Sequence, residues 1–262
     1  MCLLAFNWNN HPRYKLILVA NRDEFFERPS QQLHQWDSGI YAGKDLRAGG
    51  TWLGMNPKGR FAALTNYRDL KNLKKYEKSR GDLVKNFLEG AISPHDYLKK
   101  LEAEMHQYDG FNLLVGDHEN LFYLSNKSAE GIRKLEPGTY GLSNALLETP
   151  WRKLVKARES LKEHIEAGDF QLESLMKGQH SKETESPDRL PDTGATPEQE
   201  ILLSAQFINV GNYYGTVNST ALLWKENGEV EMMERVFDQV NGTHSDSQVN
   251  FKIQGKVEQN AG

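Results

Sequence analysis

The feature that most constrains this chain is that its apolar strand segments arrive in pairs, each pair divided by a short polar turn. CLLAFNW at 2–8 and YKLILVAN at 14–21 flank a turn containing Asn9, Asn10 and Pro12, and TWLGMN and RFAALTN flank Pro57-Lys58-Gly59. Neighbouring strands joined this tightly pair antiparallel. Strands apolar at nearly every position must also be covered on both faces, because an open face would show alternation instead. The opening third therefore reads as β-hairpins in a sheet with a packed layer on each side.

Further along, Leu83, Val84, Phe87 and Leu88, then Tyr97, Leu98, Leu101 and Met105, recur at helical spacing within 81–88 and 94–108. FNLLVGD and NLFYLS return to strand around Asp117-His118-Glu119, and GTYGLSN is a short strand running into a loop. Pro150 is expected in the first turn of a helix reaching Ala167, with Thr149 as its cap and Gly168 as its stop. The polar stretch 179–200, with Pro187, Pro191 and Pro197, reads as a surface loop or lid. TALLWKE and EVEMMERVFDQ form a last hairpin around Asn227-Gly228, and VNFKIQ adds a strand. Paired strands and grouped helices give an α+β class, with antiparallel sheets stacked between helices. The 262 residues read as a single domain over 1–262.

Composition narrows the function. The apolar runs Cys2–Phe6 and Leu16–Ala20 fall far short of the roughly 20 residues a bilayer span requires. Asn7–Arg13 turns polar too early for a secretory signal, so a cytoplasmic location is expected. A net charge of -4 leaves no footprint for nucleic acid, and Lys71, Lys74, Lys75, Lys78 and Arg80 read as a solvated face. No HExxH pair, no thiolate cluster and no GxGxxG or GxxxxGK[ST] loop is present, so neither a metal nor another cofactor is expected.

The sole cysteine is Cys2, directly behind Met1. Removal of Met1, usual before a small residue, would give Cys2 a free α-amine beside its thiol. An unperturbed thiol titrates near ~8.5 and an α-amine at ~7.7 to 8.0, so the amine can serve as base for the nucleophile. With that amine and Arg22 beside it, the thiol of the processed chain is expected to be lowered and reactive. Acyl transfer also needs donors for a developing oxyanion, and Asn66 and Asn144 at strand ends are the candidates. Arg22 and Asp23 could hold the nucleophile, and Asn21, Trp52, Tyr67 and Trp151 are candidates for touching substrate. Each has a plainer reading: Cys2 as a buried small hydrophobe, the asparagines as turn residues, Arg22 and Asp23 as a surface pair.

NRDEFFERPS, AGGTWLGMN, GRFAALTNYR, SRGDLVKNFL, FNLLVGD, GLSNALLETPW and YYGTVNSTALL together resemble the NRDE family, also called the transport-and-Golgi-organisation family. The resemblance runs in order over most of the chain. It implies an N-terminal-nucleophile-like, four-layer α/β/β/α fold. A more distant similarity, to the choloylglycine hydrolase and penicillin acylase group, implies Cys2 as nucleophile, Arg22 and Asp23 as its holders, and Asn66 and Asn144 as oxyanion donors. In that group the arginine and aspartate are three apart, whereas here they are adjacent. Relatives commonly read YGTR where this chain has Tyr214-Gly215-Thr216-Val217, and Val217 can carry neither charge nor hydrogen bond.

Two functions follow from the resemblance. One is an amidohydrolase cleaving a small C–N amide bond through a thioester at Cys2. The other is a non-catalytic carrier of haem or an acyl lipid in the same pocket, with Phe25, Phe26, Trp36, Trp52 and Trp151 as candidate lining. A partner-binding domain using 71–80 is a third reading with no specific support.

Overall fold

The computed structural model describes residues 2–72, 74 and 76–254. Met1, and Lys75 of the basic cluster, lie outside them. In chain order come β1 (Cys2–Trp8), β2 (Tyr14–Phe25), β3 (Ser30–Gln35), β4 (Tyr41–Asp45), β5 (Leu53–Met55) and β6 (Phe61–Asn66). Helices α1 (Gly81–Glu89) and α2 (Pro94–Glu102) follow, then β7 (Phe111–Gly116), β8 (Leu121–Ser125), β9 (Arg133–Lys134) and β10 (Gly138–Leu142). The last third holds α3 (Arg152–Ala167), α4 (Leu172–Lys177), α5 (Pro197–Leu203), β11 (Asn209–Val210), β12 (Tyr214–Lys225), β13 (Glu229–Asp238) and β14 (Thr243–Lys252).

Two antiparallel sheets result. One runs β10-β1-β2-β12-β13-β14, with β11 added on β12; the other runs β3-β4-β5-β6-β7-β8-β9. Strand alternation divides the apolar residues between two cores. Leu4, Phe6, Trp8, Leu16, Leu18, Ala20 and Leu222 point between the sheets and meet Leu53, Met55, Phe61 and Leu114 of the second sheet. Leu3, Ala5, Ile17, Val19, Ala221 and Leu223 point outward under Leu154, Ala157 and Leu161 of α3 and Leu175 of α4. The outer face of the second sheet is covered by Leu83, Val84 and Phe87 of α1 and Leu98 of α2. The order of layers is thus helix, sheet, sheet, helix, which explains strands without a polar face. Among the described residues no helix is long and apolar enough to cross a membrane.

Three expectations change. Helix α3 starts at Arg152 with Trp151 as its N-cap, not Thr149. Thr149 precedes Pro150, a position that disfavours helical backbone, and its carbonyl accepts instead from Trp151 N at 2.7 Å. Gly168 does end the helix, in the left-handed conformation at φ 67°. The stretch 179–200 is less of a surface loop than its composition implies: Gln179, Thr193 and Glu200 are buried, and α5 begins within it behind a capping box of Thr196 and Gln199. β3 and β4 were not expected, because this edge hairpin carries few apolar residues.

Candidate active site

Cys2 starts β1 on the face that looks between the sheets, in line with Leu4 and Phe6. Cross-strand pairing sets its neighbours. Cys2 lies opposite Arg22 on β2, and Arg22 lies opposite Asn218 on β12, so the three form one row across the inner face. The next row is Leu4, Ala20, Thr220 and Glu234. Beyond Ala20 the apolar core gives way to polar side chains, and there the sandwich opens into a cavity of about 330 Å³. Cys2, Arg22, Asp23, Trp52, Asn66 and Asn218 all border it.

Adjacent strand residues point to opposite faces, so Arg22 and Asp23 stand in different surroundings although both border the cavity. Arg22 is on the cavity face with its Nη2 3.3 Å from Glu24 Oε2. Asp23 turns towards the helix layer, where Thr216 Oγ1 donates to its Oδ1 at 2.7 Å. Burial pushes the Asp23 carboxyl up, while the Lys153 ammonium, the Thr216 hydroxyl and Arg22 act to lower it. Lys153, equally buried, is pushed down to about 8 by its loss of solvent, with Asp23 holding its proton. On the same side Arg68 is salt-bridged to Glu200 at 2.8 Å, its guanidinium carbon lying 4.7 Å from the Trp151 ring centroid.

The loop after β10 braces Cys2. Ser143 Oγ donates to the Cys2 carbonyl at 3.1 Å. Asn112 holds that loop, with Nδ2 donating to Ala145 O at 2.9 Å and Oδ1 accepting from Tyr123 OH at 2.7 Å. Gly50 and Gly81 bring a second wall close: a Cβ on Gly50 would stand 2.7 Å from the Gly81 carbonyl carbon, so no larger residue fits there.

In the chain that still carries Met1 the thiol is raised rather than lowered. Burial pushes Cys2 up to about 11, with Asp23 adding to the rise and Arg22 opposing it. Of the two asparagines, Asn66 borders the cavity at the end of β6. Asn144 is fully buried outside the lining, its Nδ2 donating to Asn66 O at 3.0 Å and its Oδ1 accepting from Lys153 Nζ at 3.4 Å. Trp52 lines the cavity; Asn21, Tyr67 and Trp151 do not. Asn21 Nδ2 instead donates to the carbonyls of Gln179 and Gln206 at 2.8 and 3.0 Å, tying β2 to the helix layer. The basic cluster is more than a solvated face, since Lys74, Lys78 and Arg80 stand at the cavity's edge. Arg80 is anchored there by Asp109 at 3.0 Å.

The family model described as Transport and Golgi organisation 2 matches residues 1–239. The chain belongs to the Transport and Golgi organisation 2 family. It is 38% identical over 256 residues to the human Transport and Golgi organization protein 2 homolog, covering 90% of this chain and 92% of that one. The mouse Transport and Golgi organization 2 homolog is 37% identical with the same coverage. Among solved structures it is similar to a Caenorhabditis elegans N-acylethanolamine-hydrolyzing acid amidase ortholog, with TM-score 0.48 and 11% identity over 85% of this chain and 92% of that one.

In this Transport and Golgi organisation 2 family member, several site residues escape a reading by motif. Asn218 follows Val217, and between Thr216 and Asn218 the pairing with β2 slips through a β-bulge. Val217 is not part of the cavity lining, whereas Asn218 is. Glu234 sits deep on β13, where Oε1 accepts from Leu33 N at 2.8 Å. Burial pushes its carboxyl up to about 7 against the opposing pull of that N–H and of Arg22. Lys153 lies two residues past Trp151 of the PW motif but carries no signal of its own, since a lysine early in a helix is ordinarily exposed.

Proposed function

We propose that this protein is an amidohydrolase whose nucleophile is Cys2, acting on a small C–N amide. The observation that carries the reading is the position of the sole thiol, at the buried edge of a cavity of about 330 Å³ with Arg22 beside it and Asn66 also in the lining. Once Met1 is removed, the Cys2 α-amine takes the thiol proton as Sγ attacks the carbonyl carbon. The oxyanion forms next to the Asn66 carboxamide. Collapse breaks the C–N bond, the ammonium returns its proton to the leaving nitrogen, and the amine product departs from a thioester. Water, deprotonated by the same amine, then releases the carboxylic acid and restores the thiol. Asp23 and Lys153, behind the strand, would set the field at the new amino terminus. A cytoplasmic site of action belongs to the same reading.

Incubation of the processed chain with N-acyl amides and β-lactams, followed by intact-mass measurement, should reveal an acyl adduct that Cys2→Ala abolishes. Asn66→Ala should slow turnover by roughly 100-fold, the usual loss for one oxyanion donor. The carrier reading draws on the cations at the cavity edge: Lys44, Lys74, Lys78 and Arg80 could face the carboxylates of haem or the anionic head of an acyl lipid. Saturable uptake of haemin or a fatty acyl ligand, unaffected by Cys2→Ala and with no adduct from any acyl donor, would replace the hydrolase with the carrier.

A further inference from the structure

The α-amine of a processed Cys2 can take the thiol proton only while it is itself unprotonated. A lone carboxylate nearby works against this, because it favours the ammonium form. Asp23 is such a carboxylate: it follows Arg22, the β2 partner of Cys2, and turns to the helix layer. A cation stands in that layer. Lys153, the second residue of α3, is only 2% exposed, with its Nζ 3.4 Å from Asn144 Oδ1 and 5.9 Å from the Trp151 ring centroid. A long contact to a neutral amide does not repay the cost of burying an ammonium, which takes an opposite charge. Burial pushes the Lys153 ammonium down to about 8, and Asp23 is the main charge opposing that, so it is still charged at pH 7.

The other charges around this amino terminus are matched in pairs. Arg22 of β2 is 3.3 Å from Glu24, Arg68 beyond β6 is salt-bridged to Glu200 of α5 at 2.8 Å, and Arg80 at the cavity edge is held by Asp109 at 3.0 Å. Tyr214 of β12 is neutral, since burial pushes its hydroxyl well above the usual phenol range. The balance at the amine is therefore set by Asp23 and Lys153. With both charged, the free amine leaves a neutral trio and the ammonium leaves a net positive one. Without Lys153 the order reverses, and the free amine leaves the Asp23 carboxylate unbalanced in a dry wall. We infer that Lys153 is a positioning residue for the amine base, its ammonium balancing Asp23 so that the processed Cys2 keeps an unprotonated α-amine at neutral pH. The inference rests on the amidohydrolase reading for the removal of Met1 and for the task of the amine. The same ammonium touches the brace of Cys2, since Asn144 Nδ2 donates to Asn66 O at 3.0 Å and Ser143 Oγ donates to the Cys2 carbonyl at 3.1 Å.

Because Cys2 is the sole cysteine, a chain grown with nitrogen-15 cysteine and processed by methionine aminopeptidase carries one labelled nitrogen, the amine itself. Its chemical shift, followed from pH 5 to 9, gives the midpoint of the amine with no substrate present. In the wild type that midpoint should lie below the ordinary α-amine value of ~7.7 to 8.0. Lys153→Gln, which can still donate to Asn144 Oδ1 but carries no charge, should raise the midpoint by about one pH unit or more. Lys153→Arg, which keeps the charge, should leave it within about 0.3 of the wild type. Urea melts show which variants are folded. A lysine that only props the Asn144 loop would leave the midpoint unmoved, so an unchanged value in folded Lys153→Gln would overturn the inference. A wild-type midpoint at or above the ordinary value would also overturn it, and this decides alone if Lys153→Gln does not fold. The hydrolase stands or falls separately: the expected midpoints with no acyl adduct would keep the role of Lys153 and refute the hydrolase, whereas an adduct with unmoved midpoints would do the reverse.

Discussion

Replacing Glu234 with glutamine should change how stability depends on pH. The carboxyl is buried on the inner face of β13 and its folded value is raised from 4.5 to about 7. A raised value means that the fold favours the protonated acid. The stability this confers is complete below the unfolded value and is lost as pH rises through the folded one. Moving the carboxyl from 4.5 to about 7 corresponds to about 3 kcal/mol in all, most of it lost between pH 5 and 8. Glutamine has nearly the same shape, can still accept from Leu33 N, and does not titrate. The raw pH profile of the wild type would mislead, because His180 acts in the opposite sense. Burial lowers its value from 6.5 to about 4, so its contribution is lost as pH falls over much of the same range. The difference between wild type and Glu234→Gln isolates the one group. Urea melts followed by tryptophan fluorescence at pH 5, 6, 7 and 8 should show the variant gaining on the wild type by roughly 2–3 kcal/mol across the series. A difference constant to within about 0.5 kcal/mol would refute the reasoning, since a carboxylate that costs nothing to ionise is not held in a dry wall.

Breaking the buried pair by Arg68→Met should cost about 3–5 kcal/mol in urea melts by stranding Glu200, and Glu200→Leu added to it should restore part of the loss; a cost below about 1 kcal/mol would show that water reaches the pair. Gly50→Ala should destabilise by about 1–3 kcal/mol in thermal melts, whereas Gly81→Ala, whose Cβ would meet nothing nearer than 3.4 Å, should be the milder change. Iodoacetamide should alkylate Cys2 slowly at pH 7–8 in chains that retain Met1, with a rate still climbing above pH 9 because the thiol titrates near 11; a plateau below pH 9 would contradict the burial argument. Chains processed to Cys2 should label at least about tenfold faster at pH 7.5, and equal rates would show that the α-amine does not activate the thiol.

What the sequence makes readable here follows from range. Hairpins β1-β2 and β5-β6 were visible because each is closed by a local turn, and their apolar character required layers on both sides. Reading the cavity lining from the sequence worked where a motif residue projects directly from a strand, as with Cys2, Arg22 and Asn66. It failed where a side chain's direction depends on a distant partner. Asn144 follows a strand as Asn66 ends one, yet its amide is drawn back by Asn66 O and Lys153, the second residue of α3. Trp151 faces Arg68, not the cavity, for a similar reason: the α3 start was displaced by Pro150. α5 could have been found from Thr196 and Gln199, three apart behind Pro197, which is a local start signal in a segment too short to show periodicity. Glu234 and Asn218 carry no such mark, because a lone glutamate or asparagine in a strand reads as solvent-facing until the opposing sheet is known.

The bulge at Val217 has a consequence for how chains of this family should be compared. Along an unbroken strand, facing is a matter of parity, and residues two apart share a side. Thr216 and Asn218 are two apart, yet one lies opposite outward-facing Asp23 and the other opposite inward-facing Arg22. The extra residue resets the count. A relative with its bulge one position earlier or later would present a different member of the same aligned columns to the cavity, so an arginine written in column 217 need not occupy the space that Val217 occupies. Equivalence here is decided by counting outward from the Arg22 row, and a single inserted or deleted residue in β12 would turn the wall inside out while leaving the motif's letters almost unchanged.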